Sequence, residues 1–160
     1  MFGWGKKKDV PLAAPIPGTV VSIGAVNDPT FASKMLGDGF GVVPATDRVT
    51  VCAPARGRVA SIFPAGHACG LITESGLEIL VHIGIDTVEM KGDGFEPRCT
   101  KGSIVDTGDP IVDVDAALIR ARGFDPVVLT VVTSKQRVNA IAVAEGPAVQ
   151  GDTVAYVTLA

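Results

Sequence analysis

Residues Ala14-Pro15-Ile16-Pro17-Gly18-Thr19-Val20-Val21-Ser22-Ile23 return later in the chain as Ala53-Pro54-Ala55-Arg56-Gly57-Arg58-Val59-Ala60-Ser61-Ile62, with Ala, Pro, Gly, Val, Ser and Ile kept in place at six of ten positions. A second echo pairs Gly102-Ser103-Ile104-Val105 and Gly108-Asp109 with Gly146-Pro147-Ala148-Val149 and Gly151-Asp152. Each echo precedes a Val-rich run, so the chain reads as two copies of one β unit. Each copy leaves an apolar sheet face that the other can cover, which is a direct way to close a core. Around the repeats, 19 glycines and 11 prolines punctuate short Val- and Ile-rich segments. Residues branched at Cβ suit a pleated surface and lose rotamer freedom in helices. Strands are expected at Thr19 to Ile23, Arg48 to Cys52, Arg58 to Phe63, Leu77 to Ile83, Ile111 to Val114, Val127 to Val132 and Thr153 to Leu159. One helical turn is expected from Asp115, an acid able to cap amides, to Arg122, ahead of Gly123. The fold class is therefore all-β: an antiparallel sandwich or flattened barrel made of a duplicated unit, with little helix.

Composition narrows the function. The chain has 160 residues, 47% hydrophobic and 19% charged, with a formal net charge of -3. That balance builds one globular domain, expected over 11–160 behind a flexible tail at 1–10. No basic face of the kind that grips phosphate backbones is present, so nucleic acid is not an expected partner. Gly, Pro and charge interrupt every apolar stretch before it could span a bilayer. The opening Met1-Phe2-Gly3-Trp4-Gly5-Lys6-Lys7-Lys8 lacks the layout of a secretory signal, so a cytoplasmic location is expected. At most, the aromatic and lysine residues within 1–8 would touch an anionic membrane surface. Three cysteines, Cys52, Cys69 and Cys99, form no C-x-x-C pair and read as free thiols.

The chain holds two histidines, His67 and His82, flanking a hairpin whose tip is Thr73-Glu74-Ser75-Gly76. With a two- or four-residue loop, paired positions sum to 149, and His67 then faces His82; a three-residue loop would break that register. Directly opposed residues bring their Cβ atoms to about 4.5–5.5 Å, close enough for both imidazoles to touch one small group. In that register the same face carries Cys69, Leu71, Leu80 and Gly84. Three readings follow: structural histidines, a zinc site of His67, Cys69 and His82 lacking a fourth ligand, or nucleophilic catalysis with one imidazole attacking and the other donating to developing charge.

The run Val81-His82-Ile83-Gly84-Ile85-Asp86-Thr87-Val88-Glu89-Met90-Lys91-Gly92-Asp93-Gly94-Phe95, with Gly66-His67-Ala68 upstream, resembles the enzyme IIA component of the glucose family of the bacterial phosphoenolpyruvate-dependent sugar phosphotransferase system. Asn27-Asp28-Pro29-Thr30-Phe31, Met35-Leu36-Gly37-Asp38-Gly39-Phe40, Ala53-Pro54 and Gly151-Asp152-Thr153 extend the resemblance over nearly the whole chain past the first ten residues. It implies the duplicated hybrid motif as the fold and a phosphohistidine carrier as the activity, with no cofactor. The implied donor is the phosphocarrier HPr, and the implied acceptor is a cysteine on the IIB domain of a sugar permease. Regulatory partners are possible in addition.

By the same resemblance His82 is the phosphorylated residue, with its near nitrogen held by the Gly84 carbonyl, and His67 donates to the phosphoryl oxygens. Asp28 and Asp86 match acidic positions bordering the site, where they would repel the phosphoryl group or meet partner arginines. Phe31, Met35, Leu36, Phe63 and Leu80 would form an apolar docking rim. Ala65 stands where this family often has a Thr, and Cys69 where it often has a Phe. Thr133-Ser134-Lys135-Gln136-Arg137 also diverges, and no site residue is assigned there. A rival reading takes Glu89-Met90-Lys91-Gly92 as the hairpin tip of a lipoyl or biotinyl carrier, modified at Lys91. Another is a regulatory module without chemistry, such as a zinc-binding one.

Overall fold

The computed structural model describes residues 9–160, in fourteen strands and two short helices. The strands are β1 (Asp9–Ala13), β2 (Gly18–Ser22), β3 (Asp38–Pro44), β4 (Arg48–Cys52), β5 (Gly57–Ile62), β6 (Ala68–Ile72), β7 (Glu78–Ile83), β8 (Phe95–Pro97), β9 (Ile104–Val105), β10 (Pro110–Asp115), β11 (Val128–Val132), β12 (Val138–Val143), β13 (Gly146–Ala148) and β14 (Thr153–Leu159). The helices are α1 (Pro29–Ala32) and α2 (Ala116–Ala121). All strand pairings are antiparallel, so the all-β expectation holds. Helix α2 lies where it was expected, with the Asp115 carboxylate accepting from the Leu118 amide. Helix α1 was not expected; Asp28 caps it by accepting from the Thr30 amide, and Pro29 sits at its first turn, where no amide is needed. Because β1 begins at Asp9, ordered structure starts ahead of the boundary drawn at residue 11. Residues 1–8 of the expected tail, with the membrane contact expected there, lie outside the described residues.

An eight-stranded sheet runs β13-β2-β3-β11-β7-β6-β5-β9, and two three-stranded sheets run β1-β14-β12 and β4-β10-β8. Read inward from both ends, the large sheet matches β13 to β9, β2 to β5, β3 to β6 and β11 to β7. The small sheets match β1 to β4, β14 to β10 and β12 to β8. The sequence repeats thus occupy equivalent places. One unit, β4 to β10, is continuous, and it is inserted between β3 and β11 of the other.

Reciprocal hydrogen bonds mark the pseudo-twofold between the units. The Ala13 amide donates to the Pro54 carbonyl at 2.8 Å and the Cys52 amide to the Pro15 carbonyl at 2.9 Å. Within each unit, at equivalent places, Ala14 donates to Asp152 and Ala53 to Asp109, both at 2.8 Å. The Ala-Pro corners visible in the sequence are therefore contacts that clasp the two units, and the Gly-Asp turns brace those corners from within each unit.

Two apolar clusters form. The main core lies between the sheets and includes Leu12, Ile16, Phe40, Leu71, Ile79, Ile83, Ile111 and Val157. A smaller cluster of Ile23, Val26, Phe31, Ile85, Val127, Leu129 and Val131 lies on the other face of the large sheet's centre, with Leu80 packed against it. Alternation along β11 sends Leu129 and Val131 to the small cluster, and Val128, Thr130 and Val132 to the main core.

Thr130 is fully buried there and its hydroxyl has no hydrogen-bond partner. A buried hydroxyl without a partner costs about 1–3 kcal/mol. Thr130→Val, which keeps the shape and removes the hydroxyl, is expected to stabilise the protein by about 1 kcal/mol. Urea unfolding checks this, and an unchanged or lowered midpoint would contradict it.

Candidate active site

Both histidines come from the hairpin of β6 and β7, but its register differs from the one expected. Ala68 pairs with His82, Cys69 with Val81 and Leu71 with Ile79, so paired positions sum to 150. The cause is the loop. Glu74, Ser75 and Gly76 form a three-residue connection in which the Gly76 amide donates to the Thr73 carbonyl and Gly76 takes φ +83°. A type I turn closed by a left-handed glycine is the usual three-residue solution. The Thr73 hydroxyl holds it by accepting from the Leu77 amide.

A one-residue shift changes which side chains share a face. Cys69 and Leu71 lie in the main core, on the side away from His82. The trio of His67, Cys69 and His82 therefore does not converge, and the zinc reading built on it is corrected. Among the described residues no group of three or more His, Cys, Asp or Glu side chains is placed to hold a metal.

The histidines nevertheless meet. His67 precedes β6 in a bend after Gly66, so the pleat does not dictate its direction. Its carbonyl accepts from the Ile83 amide at 2.7 Å, which ties it to the residue next to His82. The two imidazole centroids are 5.3 Å apart with planes at 83°. Phe31 lies 5.1 Å from His82, and Phe63 lies edge-on at 5.3 Å from His67. Four rings thus stand in a row, Phe31, His82, His67 and Phe63.

The His82 ring is held from behind. Its Nδ1 is 2.8 Å from the Gly84 carbonyl, and because a carbonyl can only accept, Nδ1 carries the proton. Nε2 of the neutral ring is left with its lone pair free. Gly84 can aim its carbonyl there because it adopts φ +78°, while its amide donates to Val127 at 2.8 Å. Burial pushes the His82 pKa below the ordinary imidazole value, with His67 adding to the effect; the Gly84 carbonyl, Asp28 and Asp86 pull the other way. Burial also lowers His67, which is 4% exposed and whose Nδ1 has no hydrogen-bond partner.

Asp86 follows the end of β7 in a left-handed conformation (φ 60°) and is exposed, and the Asp28 carboxylate caps α1. Both carboxylates are close enough to act on the His82 ring. Of the expected docking rim, Phe63 (43% exposed), Leu36 (38%) and Met35 (66%) are open to solvent. Phe31 is not; it is buried under His82 as part of the small cluster, so it is a platform and not a rim. Leu80 is half-buried against the same cluster. The sequence reading missed Thr87, fully buried, whose hydroxyl donates to the Ile83 carbonyl, and Val88, 55% exposed beside Asp86. Lys91 ends the 3-10 turn Thr87–Met90 and not a hairpin, which removes the geometry that a lipoyl or biotinyl tip needs.

A half-exposed imidazole with one nitrogen fixed and the other free, a second imidazole beside it and apolar side chains around them make a face suited to passing a group between macromolecules. Residues 10–138 match the family model described as phosphoenolpyruvate-dependent sugar phosphotransferase system, EIIA 1. The chain belongs to that family and is a phosphoryl carrier of the system. It is 38% identical over 156 residues to the glucose-specific EIIA component of Staphylococcus aureus, covering 96% of this chain and 93% of that one. It is 45% identical over 121 residues to the glucose-specific EIIA component of Halalkalibacterium halodurans, covering 76% of this chain and 69% of the other. Glucose permease IIA of Mycoplasma capricolum superposes with a TM-score of 0.80 at 34% identity, over 98% of this chain and 99% of that one.

Proposed function

We propose that His82 accepts the phosphoryl group from phospho-HPr on Nε2 and passes it to the cysteine of a IIB domain belonging to a glucose-family permease. The observation that carries this reading is the His82 Nδ1 to Gly84 carbonyl bond, which presents a free Nε2 lone pair outward. In the first step the Nε2–P bond forms as the bond from phosphorus to HPr breaks; in the second the IIB thiolate attacks phosphorus and the Nε2–P bond breaks. His67, 5.3 Å away ring to ring, donates from Nε2 to the phosphoryl oxygens as charge gathers on them. That assignment puts its proton on Nε2 and leaves Nδ1, which has no partner, as the bare nitrogen. Asp28 and Asp86 favour departure of the dianionic group by repulsion. Phe63, Leu36 and Met35 supply apolar contact to successive partners, and the transfers take place in the cytoplasm. No helix among the described residues is long and apolar enough to cross a membrane.

The test is incubation with phosphoenolpyruvate, enzyme I and HPr, followed by intact mass. Gain of one acid-labile phosphate is expected, and no gain on folded protein with competent donors would overturn the reading. His67→Gln is expected to lower transfer about 10²–10³-fold, as loss of a donor to transition-state charge does, while affinity for HPr stays within a few-fold. Stopped-flow transfer and calorimetry separate the two; equal losses in both would make His67 a docking residue.

The pH dependence follows from the lowered His82 pKa. Attack needs the neutral ring, so acceptance stays at its plateau as pH falls through the ordinary imidazole value of 6.5 and declines only below it. In stability the sign is the same. A histidine whose folded pKa is depressed takes up protons first in the unfolded chain, so stability is lost as pH drops below about 6.5. A rate profile with its midpoint above 6.5 would contradict the assignment.

A further inference from the structure

The loop 33–37, which carries Met35 and Leu36 of the apolar rim, follows α1 and leads into β3. Its ends are fixed, by the Ser33 amide donating to the Pro29 carbonyl at 3.0 Å on one side and by Asp38 facing Val132 of β11 on the other. Its middle is held less well. Lys34 stands at φ 61°, a left-handed conformation disfavoured for a residue with a side chain, and Met35 is 66% exposed. The polar contacts made inside the loop are local: the Lys34 amide donates to Phe31 at 3.0 Å, the Gly37 amide to Lys34 at 3.1 Å, and the Lys34 ammonium pairs with Asp38 at 3.6 Å. Among the described residues, one hydrogen bond ties this loop to a distant part of the chain, from Lys135 Nζ to the Met35 carbonyl at 2.8 Å.

Lys135 is itself fastened to the strand that carries His82. It opens the 3-10 turn Lys135–Arg137 that follows β11. Just before it, the Thr133 amide donates to the Glu78 carbonyl at 2.9 Å, and Ser134, buried, accepts at Oγ from the Glu78 amide at 3.0 Å. Glu78 begins β7, the strand on which His82 stands. The path from Met35 through Lys135 and Glu78 to His82 is thus bonded throughout.

We propose that Lys135 is a positioning residue for partner docking: it ties the rim at Met35 and Leu36 to the start of β7, so that rim and His82 meet phospho-HPr as one surface. The role rests on the carrier function proposed above and gives Lys135 no contact with the phosphoryl group. Without the ammonium, the Met35 carbonyl loses its distant partner and the loop samples other arrangements. Apparent affinity then falls in proportion to the time spent outside the docking arrangement. The chemical step, set by His82 and the Gly84 carbonyl, is left as it was.

The experiment compares the full chain as wild type, Lys135→Met and Lys135→Arg. Methionine keeps most of the apolar stem and removes the donor, whereas arginine keeps a cationic donor of similar reach. In Lys135→Met, KM for phospho-HPr is expected to rise about three- to fivefold, with kcat within about 1.5-fold and the melting temperature unchanged. Amide hydrogen exchange at Lys34 and Gly37 should quicken at least about twofold. Lys135→Arg should regain most of both. The ratio of the two KM values should hold between about 50 and 500 mM salt, since a hydrogen bond within one chain is not screened as an exposed charge contact with a partner is. A ratio that collapses with salt would make Lys135 a direct partner contact and overturn the proposal, as would an unchanged KM, an equal loss in kcat, or a raised KM with unaltered exchange. Exchange is read on the unphosphorylated chain, so a quickened loop in a protein that takes up no phosphate would bring down the carrier reading, and the docking role with it, but not the tether.

Discussion

In His82→Ala, phosphate uptake from phosphoenolpyruvate through enzyme I and HPr is expected to fall at least about 10⁴-fold, to the limit of intact-mass detection, with folding unchanged. The expectation rests on geometry that no other residue can reproduce. His67 is the remaining imidazole, but it is 4% exposed and no carbonyl holds its Nδ1. It therefore lacks both the access and the fixed proton that make His82 Nε2 a nucleophile. Removing the His82 ring also leaves Phe31 uncovered on one side, a modest loss at a half-exposed surface. Unfolding by urea should thus separate the variants cleanly, with His82→Ala nearly as stable as wild type and inert. Residual labelling at a few per cent of wild type, mapped to His67, would show that the two rings can exchange roles and would sink the assignment.

The second large effect is expected at Gly84, where Gly84→Ala should lose about 2–4 kcal/mol of stability and at least tenfold in transfer rate. A side chain is disfavoured at φ +78°, and a Cβ there would stand 2.4 Å from Thr87 Cγ2 and 3.0 Å from the Asp125 carbonyl oxygen. Thr87 cannot swing away, because it is fully buried and its hydroxyl bonds to the Ile83 carbonyl. Relief must come from the Gly84 peptide itself, which moves the carbonyl that fixes the His82 proton. Thr87→Ser keeps the hydroxyl and deletes the Cγ2 methyl. The double variant Gly84→Ala with Thr87→Ser should therefore regain part of the stability, and a double-mutant cycle by urea unfolding measures how much. Strict additivity would show that the clash is not what Gly84 prevents.

Much of this architecture was legible because repeats are read from identity and not from propensity. The Ala-Pro corners at residues 14 and 53 are where the two units clasp, and the Gly-Asp turns at 108 and 151 brace those corners within each unit. The expected strands at Arg48 to Cys52 and Thr153 to Leu159 match their observed bounds. The histidine pair was legible too, but for a mistaken reason. Pairing arithmetic assumed an even loop, whereas Gly76 in a left-handed conformation closes a three-residue one. The rings meet because His67 stands outside the strand, and sequence periodicity carries no information about a side chain in a bend. Helix α1 is only four residues long, below the length at which an amphipathic repeat can be seen, although Asp28-Pro29 is a cap followed by a first-turn proline. Phe31 was misplaced for the same reason: without α1, nothing showed that its ring turns inward beneath His82.

The insertion of one unit between β3 and β11 of the other has a kinetic consequence. During synthesis, β4 to β10 can find most of their partners within one continuous stretch, with only β7 waiting for β11. β2 and β3 emerge early and can pair with each other, but β1 must wait for β14, β2 for β13 and β3 for β11, a wait of well over a hundred residues for β1 and for the outer edge of β2. Contacts between distant residues slow folding, since loop-closure entropy is spent before they form. The inserted unit is therefore expected to fold first, with β1 unpaired and the β2–β3 pair left with two open edges. Leu129 and Val131 of β11 floor the small cluster beside His82, so the phosphoryl-accepting face is completed only after the rest of the inserted unit. A nascent chain released before β11 would carry both histidines and still be unable to hold His82 for transfer.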